Sequence, residues 1–473
     1  MFTVNRIPNL ASTALLAIVA VAFTVLLPIP AAAKLTPEEL AKLGLNEGEL
    51  TPSGAIRAGN TDGSIPEWKF EPLKTPPDFK PGTFHPDPYA DDKILFTITA
   101  QNYKEYADKL TVGQQKMFET YSDYKMNIYP TRRSAVFPEY VYKAALENAP
   151  RTEVYQVASG EVGVRNAEIS WAFPIPKDGN EALMNVITRP QQPYQYYWDN
   201  TAAVASNGDF QVGKITIKAY RPYSLPPGVI DKLPLTEVGS GIHANQTVVS
   251  PAKSAGQVIL AVDPMVYTEN QRQAWLYNPG QRRVKRAPQI IHDYPSTGAD
   301  GLATTDQRWG WLSPNERYDW TLEGRQEIYI PYNAYKINSG DVPVDDIITE
   351  TGRLNQDLAR YELHRVWKIV GTLRSDTSHV YSKRIFYLDE DSWVPIIHDN
   401  FDMRGGFWRL FEQHLVNWYD VGFMGEALIT QYDVTAGRML VFGIDNDGPA
   451  VDFTWRPQPK EYTPGAIRRA GVR

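Results

Sequence analysis

The sequence predicts a mainly β protein built on a large curved antiparallel sheet or incomplete β-barrel, with helices packed on or in its open face. Three observations predict it. Residues 361–418 alternate apolar and polar side chains with a period of two, helical periodicity is confined to about 100–190, and strand-like runs follow from about Ala202 with turn residues between them. A helical part followed by many strands indicates one sheet with helices laid on one face.

The period-two region reads as an antiparallel meander. In its first strand Tyr361, Leu363, Trp367, Ile369 and Leu373 share one face, and Glu362, His364, Lys368 and Thr372 share the other. Arg365 is the exception, since it falls on the apolar face. Val380 to Leu388 forms the second strand and ends at the acidic turn Asp389-Glu390-Asp391-Ser392; Trp393, Ile397, Phe401 and Met403 alternate in the third. After Gly405-Gly406 the fourth strand puts Phe407, Arg409, Phe411 and Leu415 on one side. Arginines on an aromatic face are notable because an unpaired buried charge is costly.

Met1–Ala33 carries a basic residue, Arg6, an apolar run from Leu10 to Leu27, and Ala31-Ala32-Ala33 after Pro28 and Pro30, the pattern of a signal peptide cleaved near Ala33. The chain has no cysteine, which excludes disulfides, a lipid-modified amino-terminal cysteine and thiolate chemistry. Its net charge of −7 argues against nucleic acid as a partner. Twelve tryptophans and 27 tyrosines are a marked excess, fit for a core or for a platform that receives sugars, sterols or acyl chains.

Residues 34–95 read as a proline-rich arm. A capping box at Thr36 and Glu39 starts a helix over Pro37 to Leu43, and Ile65, Trp68 and Phe70 require the arm to pack on the domain surface. Residues 96–444 read as a single β domain. Amphipathic helices are expected at Tyr103 to Leu110, after the Thr111/Gln114 capping box, at Glu139 to Asn148, and at Glu181 to Thr188; strands are expected at Lys214 to Tyr220 and Gly256 to Val262. Asn278-Pro279-Gly280-Gln281 predicts a type II hairpin turn with positive φ at Gly280, followed by a basic run that blunts a sheet edge. Arg317 to Pro331 reads as a strand pair or one bulged strand, and 445–473 as a carboxy-terminal tail.

Motifs that would carry catalysis are weak. Gly208 to Lys214 resembles a phosphate-binding loop but continues into Ile215 and an alternating strand, and Asp445-Asn446-Asp447-Gly448 lacks the outer ligands of a calcium loop. His364, His398 and His414 sit on neighbouring strands without metal-ligand spacing. Carboxylates at Asp389, Asp391, Asp399 and Asp402 are of the type a glycosidase pair uses, yet acidic turns of this kind are common. No catalytic residue, metal site or cofactor is therefore expected.

Several motifs together resemble a family: Leu50-Thr-Pro with Ala58-Gly-Asn and Ile65-Pro-Glu-Trp68, Asn278-Pro-Gly-Gln-Arg-Arg-Val, Arg317-Tyr-Asp-Trp, Tyr329-Ile-Pro-Tyr-Asn, Arg360-Tyr-Glu-Leu-His-Arg-Val-Trp and Phe386-Tyr-Leu-Asp-Glu-Asp-Ser-Trp393. The chain resembles an uncharacterised family of bacterial periplasmic proteins labelled outer-membrane lipoprotein-sorting-like, similar at a distance to the carriers LolA and LolB. The resemblance implies an incomplete barrel with helices closing an apolar cavity, a periplasmic location in a Gram-negative bacterium, and no catalysis. It also implies an outer-membrane partner and a resistance-nodulation-division type transporter. On this basis Trp367, Ile369, Phe407 and Phe411 are the expected wall for a hydrophobic ligand, a lipid or acyl chain, and Arg365 and Arg409 either meet its head group or form ion pairs to Glu327 or Glu412. Two alternatives remain beside a carrier, a polysaccharide-binding protein with exposed tryptophan platforms and a periplasmic hydrolase with carboxylates converging in a cleft.

Overall fold

The computed structural model describes residues 34–229, 240–267, 272–287 and 290–470. The expected signal peptide lies outside these residues. In chain order the strands are β1 (Phe96–Thr99), β2 (Lys125–Ile128), β3 (Glu153–Gln156), β4 (Val162–Arg165), β5 (Tyr194–Trp198), β6 (Thr201–Val204), β7 (Val212–Tyr220), β8 (Ser240–Ser250), β9 (Val258–Pro264), β10 (Gln273–Asn278), β11 (Arg283–Arg286), β12 (Tyr318–Pro331), β13 (Tyr361–Leu373), β14 (Lys383–Asp389), β15 (Pro395–Phe401), β16 (Phe407–Trp418), β17 (Phe423–Asp433) and β18 (Arg438–Phe442). The α-helices are α1 (Pro37–Lys42), α2 (Val112–Thr120), α3 (Glu139–Asn148), α4 (Gly179–Thr188), α5 (Val344–Ile347) and α6 (Pro464–Ala470).

Apart from the β3–β4 hairpin, these strands form one sheet that does not close on itself. The meander β13 to β18 is its centre, and its first four strands, β13 to β16, are those that the alternation of 361–418 predicts. From β18 the sheet passes to β6 and β7, then continues through β8, β9 and β10 to the edge strand β11. Beyond β13 lie β12 and, through the parallel pairing of Tyr361 with Ile128, β2 and β1; β5 pairs with β7. The basic residues Arg283, Lys285 and Arg286 are exposed on β11, where charge protects an open edge.

Capping chemistry sets the helix starts. At Thr36 and Thr111 both halves of the capping box are made, and Asp178 accepts from the amides of Asn180 and Glu181 at the start of α4. Tyr103–Lys109 is a 3₁₀ helix instead of the expected amphipathic α-helix. Asn102 gives it no side-chain cap, because its Oδ1 accepts from the Thr99 amide at 2.7 Å, and the new cap at Thr111 follows before a longer helix can form. The single strand β12 carries a bulge between Leu322 and Gly324.

Two local expectations need correction. The 278–283 connection is a hairpin loop, but not a type II turn: the residue with positive φ is Arg282, at 51°, while Gly280 has no left-handed backbone. The Arg282 amide donates to the Pro279 carbonyl at 3.2 Å, so the chain reverses one step later than the Pro-Gly pair implies. The second correction concerns the sharing of one face by Phe407, Arg409 and Phe411. A bulge between Asn400 and Phe401 pairs Phe407 with Phe401, and the side chain of Phe407 turns toward α2. Trp408 takes its place beside Arg409, with 4.0 Å from the guanidinium carbon to its ring centroid.

Both faces of the meander are covered. On one, the amino end of α2 rests on Asp399 and Leu410, an approach that only Gly113 permits, since an added Cβ would lie 2.4 Å from Asp399 Oδ1. On the other, the segment 291–315 brings Trp311 to 5.7 Å from Phe386 and Asp306 to 2.5 Å from Arg384. The proline-rich arm packs on the surface as its apolar residues require: Ile65 and Trp68 are buried, and Trp68 meets Tyr142 edge-on at 5.7 Å. Among the described residues no helix is long and apolar enough to cross a membrane.

Candidate functional site

The six residues expected to receive a ligand occupy different environments. Arg365 is buried, its Nε donates to Glu390 at 2.7 Å, and its Nη2 donates to the arm carbonyls of Ile56 and Ala58. Trp367 is stacked between Trp393, 5.5 Å away, and the guanidinium of Arg325, 3.7 Å away. Ile369 is in the core. Arg409 donates to Asp433 at 3.0 Å, to the Tyr381 hydroxyl and to the Gly301 carbonyl. The ion-pair partners are thus Glu390 and Asp433, not Glu327 or Glu412, because Glu327 accepts from Asn60 and Glu412 faces Gln114 of α2. Only Phe411 of the six reaches the cavity described below.

The acidic turn is buried rather than open. Arg133 binds both oxygens of Asp391, at 2.9 and 2.6 Å, and reaches Glu390 and the Ile56 carbonyl. Asp389 accepts from Tyr332 and Ser392, and His364 contacts Glu362 at 3.1 Å. His364, Asp389 and Asp391 lie close enough to hold a metal ion together. Their chemistry does not fit one: Asp391 is saturated by Arg133, His364 is engaged by Glu362, and Arg133, Arg360 and Arg365 offset the carboxylates. The cluster latches the arm onto the sheet. Asp399 and Asp402 are elsewhere, the first under α2 and the second in the 402–406 turn. The histidines also separate: His398 is stacked between Phe386 and Phe411, burial holding it well below its ordinary value, and His414 meets Tyr361 edge-on, burial pushing it down to about 3.

A site with room for a ligand lies against β16, β17 and β18, beside β5. A cavity of about 970 Å³, counted to its open mouth, is enclosed by β5, β16, β17, β18, the segment 303–309, and Phe84 and His85 of the arm. Tyr197, Trp198, Trp309, Phe411, Trp418 and Phe442 supply aromatic walls. Its polar groups are largely internally satisfied: Arg308 pairs with Asp199 at 2.9 Å, and Asp445, whose carboxyl burial holds well above the usual carboxylate range, accepts from the Asn200 amide at 2.9 Å.

Two smaller hollows adjoin it, of about 600 and 400 Å³. Trp309 lies in the walls of the first two; Arg189, Gln191 and Arg221 are shared by the smaller pair; Gln195, Trp418 and Glu426 line the first and third. Trp309 is fixed at this junction, its Nε1 donating to the Tyr197 hydroxyl at 3.1 Å and its carbonyl accepting from Arg189 at 2.5 Å. Its φ of 49° is unusual for a bulky residue and costs about 1–3 kcal/mol, which the surrounding contacts must sustain. Sequence reasoning missed this site because its walls come from seven separate stretches. The Phe84-His85 pair within the prolines was the available signal.

None of the 12 tryptophans is exposed. A flat sugar-binding platform would require exposed rings. Nor do the acidic residues of 389–391 line any of the three hollows.

A family model described as "Protein of unknown function (DUF1329)" matches residues 97–468. The uncharacterized protein PA3922 of Pseudomonas aeruginosa is 41% identical over 451 residues, covering 93% of this chain and 95% of that protein. Among solved structures, a DUF1329 family protein from Desulfovibrio piger aligns with a TM-score of 0.41 at 11% identity, covering 60% of this chain and 95% of that one. A putative outer membrane lipoprotein-sorting protein domain from Vibrio parahaemolyticus aligns with a TM-score of 0.38 at 12% identity, covering 60% of this chain and 94% of that one.

Proposed function

We propose that this chain, which belongs to the DUF1329 family of proteins of unknown function, is a periplasmic carrier or binding protein for a hydrophobic ligand of the lipid or acyl-chain type. The observation that carries the reading is the aromatic cavity lined from β5, β16, β17 and β18, which shares wall residues with two further hollows and offers an apolar chain a mainly aromatic enclosure. The ligand contacts are then Phe411 and the aromatic residues around Trp309, while Arg365 and Arg409 hold the fold. The arm completes the wall with Phe84 and His85, and the His85–Asp420 contact at 2.8 Å ties it there. An outer-membrane partner and a resistance-nodulation-division type transporter would deliver or receive the ligand.

Filling the cavity tests this. Ala427 is buried on its wall, and Ala427→Trp places an indole where the ligand would lie. The neutral fluorophore N-phenyl-1-naphthylamine should bind the unaltered protein and lose at least tenfold in affinity for the variant, both being measured well below their unfolding midpoints. Equal binding by both, or none by the unaltered protein, overturns the reading.

A further inference from the structure

We infer that the hollow behind Trp309 receives the anionic head of an amphiphile, a carboxylate or phosphate monoester, held by Arg189 and Arg221 while the apolar chain occupies the adjoining cavities. This rests on the carrier reading and names the ligand class. The argument begins with a contrast among buried arginines. Arg133, Arg365, Arg384 and Arg409 each have a carboxylate partner, at 2.6, 2.7, 2.5 and 3.0 Å. Arg189 and Arg221 are equally buried, with 6% and 4% of their surface exposed, and neither forms an ion pair among the described residues.

What they have instead are neutral acceptors. Arg189, just past α4, donates to the carbonyls of Val186 and Trp309; Arg221, just past β7, donates through Nη1 to the Gln192 carbonyl and to Gln195. Arg221 Nε has no acceptor, nor does Trp311 Nε1, and both residues line this hollow. Among the described residues its wall contains no aspartate or glutamate, and Ile187, Ile242, Met265 and Leu312 are apolar. Glu426, on the wall of the adjoining hollow, attracts both cations through space without bonding to either. Burial, together with the neighbouring Arg221 and only partly offset by Glu426, pushes the Arg189 guanidinium down to about 10. Two desolvated cations and two unused donors beside an apolar channel are complementary to an acidic head on a hydrocarbon tail.

The test is isothermal titration calorimetry of the full exported chain with decanoate and with decanol, each below its aggregation limit. Decanoate should bind at least tenfold more tightly than decanol, the difference expected for a charge-assisted hydrogen bond. Arg221→Met should remove that preference, bringing decanoate to the affinity of decanol. A second variant guards against misfolding of the first: Met265→Glu adds a negative charge to the same wall, so, with its cooperative thermal unfolding retained, it should abolish the decanoate preference. Equal binding of decanoate and decanol by the unaltered protein overturns the inference and leaves the carrier reading intact, as does a preference that survives Met265→Glu. Failure of both ligands to bind overturns the carrier reading itself.

Discussion

Asp399→Asn is expected to flatten the dependence of stability on pH. Asp399 lies under the amino end of α2, where Oδ1 accepts from the Gly113 amide at 3.1 Å and the Thr111 hydroxyl at 3.2 Å, and Oδ2 accepts from the Tyr387 hydroxyl at 3.2 Å. Burial is the largest influence and pushes the carboxyl up; the three donors oppose it, and the balance stands at about 7. The folded chain therefore retains a proton that the unfolded chain, with a carboxyl near ~3.9, releases. For a raised acid the contribution to stability is full below the unfolded value and is lost as pH rises through the folded one. Between pH 5 and pH 8 the loss is about 2–3 kcal/mol from this residue. Asparagine keeps the shape, accepts from Gly113 and Thr111, offers Nδ2 to Tyr387, and cannot ionise. Urea titrations at pH 5, 6, 7 and 8 should show the variant losing about 2–3 kcal/mol less than the unaltered protein over that range. Glu181 and Glu412, also pushed up to about 7 by burial, keep some slope in both proteins. Parallel curves would refute the reasoning.

Two further outcomes follow from the latch and the hairpin. Arg133→Met leaves the buried Asp391 without its ion-pair partner, Glu390 keeping Arg365, so unfolding free energy should fall by about 3–5 kcal/mol and limited proteolysis should cut the 50–68 arm first; an arm no more sensitive than before contradicts the latch. Arg282→Gly relieves a left-handed arginine on an exposed turn and should raise stability by about 1 kcal/mol, measured as a shift in the urea midpoint; a loss would show that the arginine side chain outweighs its backbone strain.

Where structure follows from local chemistry, the sequence was legible. The capping boxes at Thr36 and Thr111, the helix Glu139–Asn148 and the meander from β13 to β16 follow from residue spacing alone. Legibility failed where one residue changes the register. The bulge beside Phe401 reverses Phe407 and substitutes Trp408 on the arginine face, and an unbroken period of two cannot show that. It failed again for long-range partners: Arg365 meets Glu390 across a turn that reads as solvent-exposed, and its other partners are carbonyls some 300 residues earlier in the chain. The cavity was illegible for the same reason, since Arg189 after α4, Arg221 after β7 and Trp309 in the segment 303–309 carry no shared motif and meet only in the folded chain.

The central claim is that the hollows around Trp309 hold an amphipathic ligand. It is tested most directly by native mass spectrometry of the full chain purified without detergent, followed by solvent extraction and mass analysis of what is released. The account predicts a bound species with an acidic head and an alkyl or polycyclic body, near one equivalent, and its loss from Ala427→Trp. A chain that carries no such species, and stays empty after incubation with total membrane lipid, would contradict it.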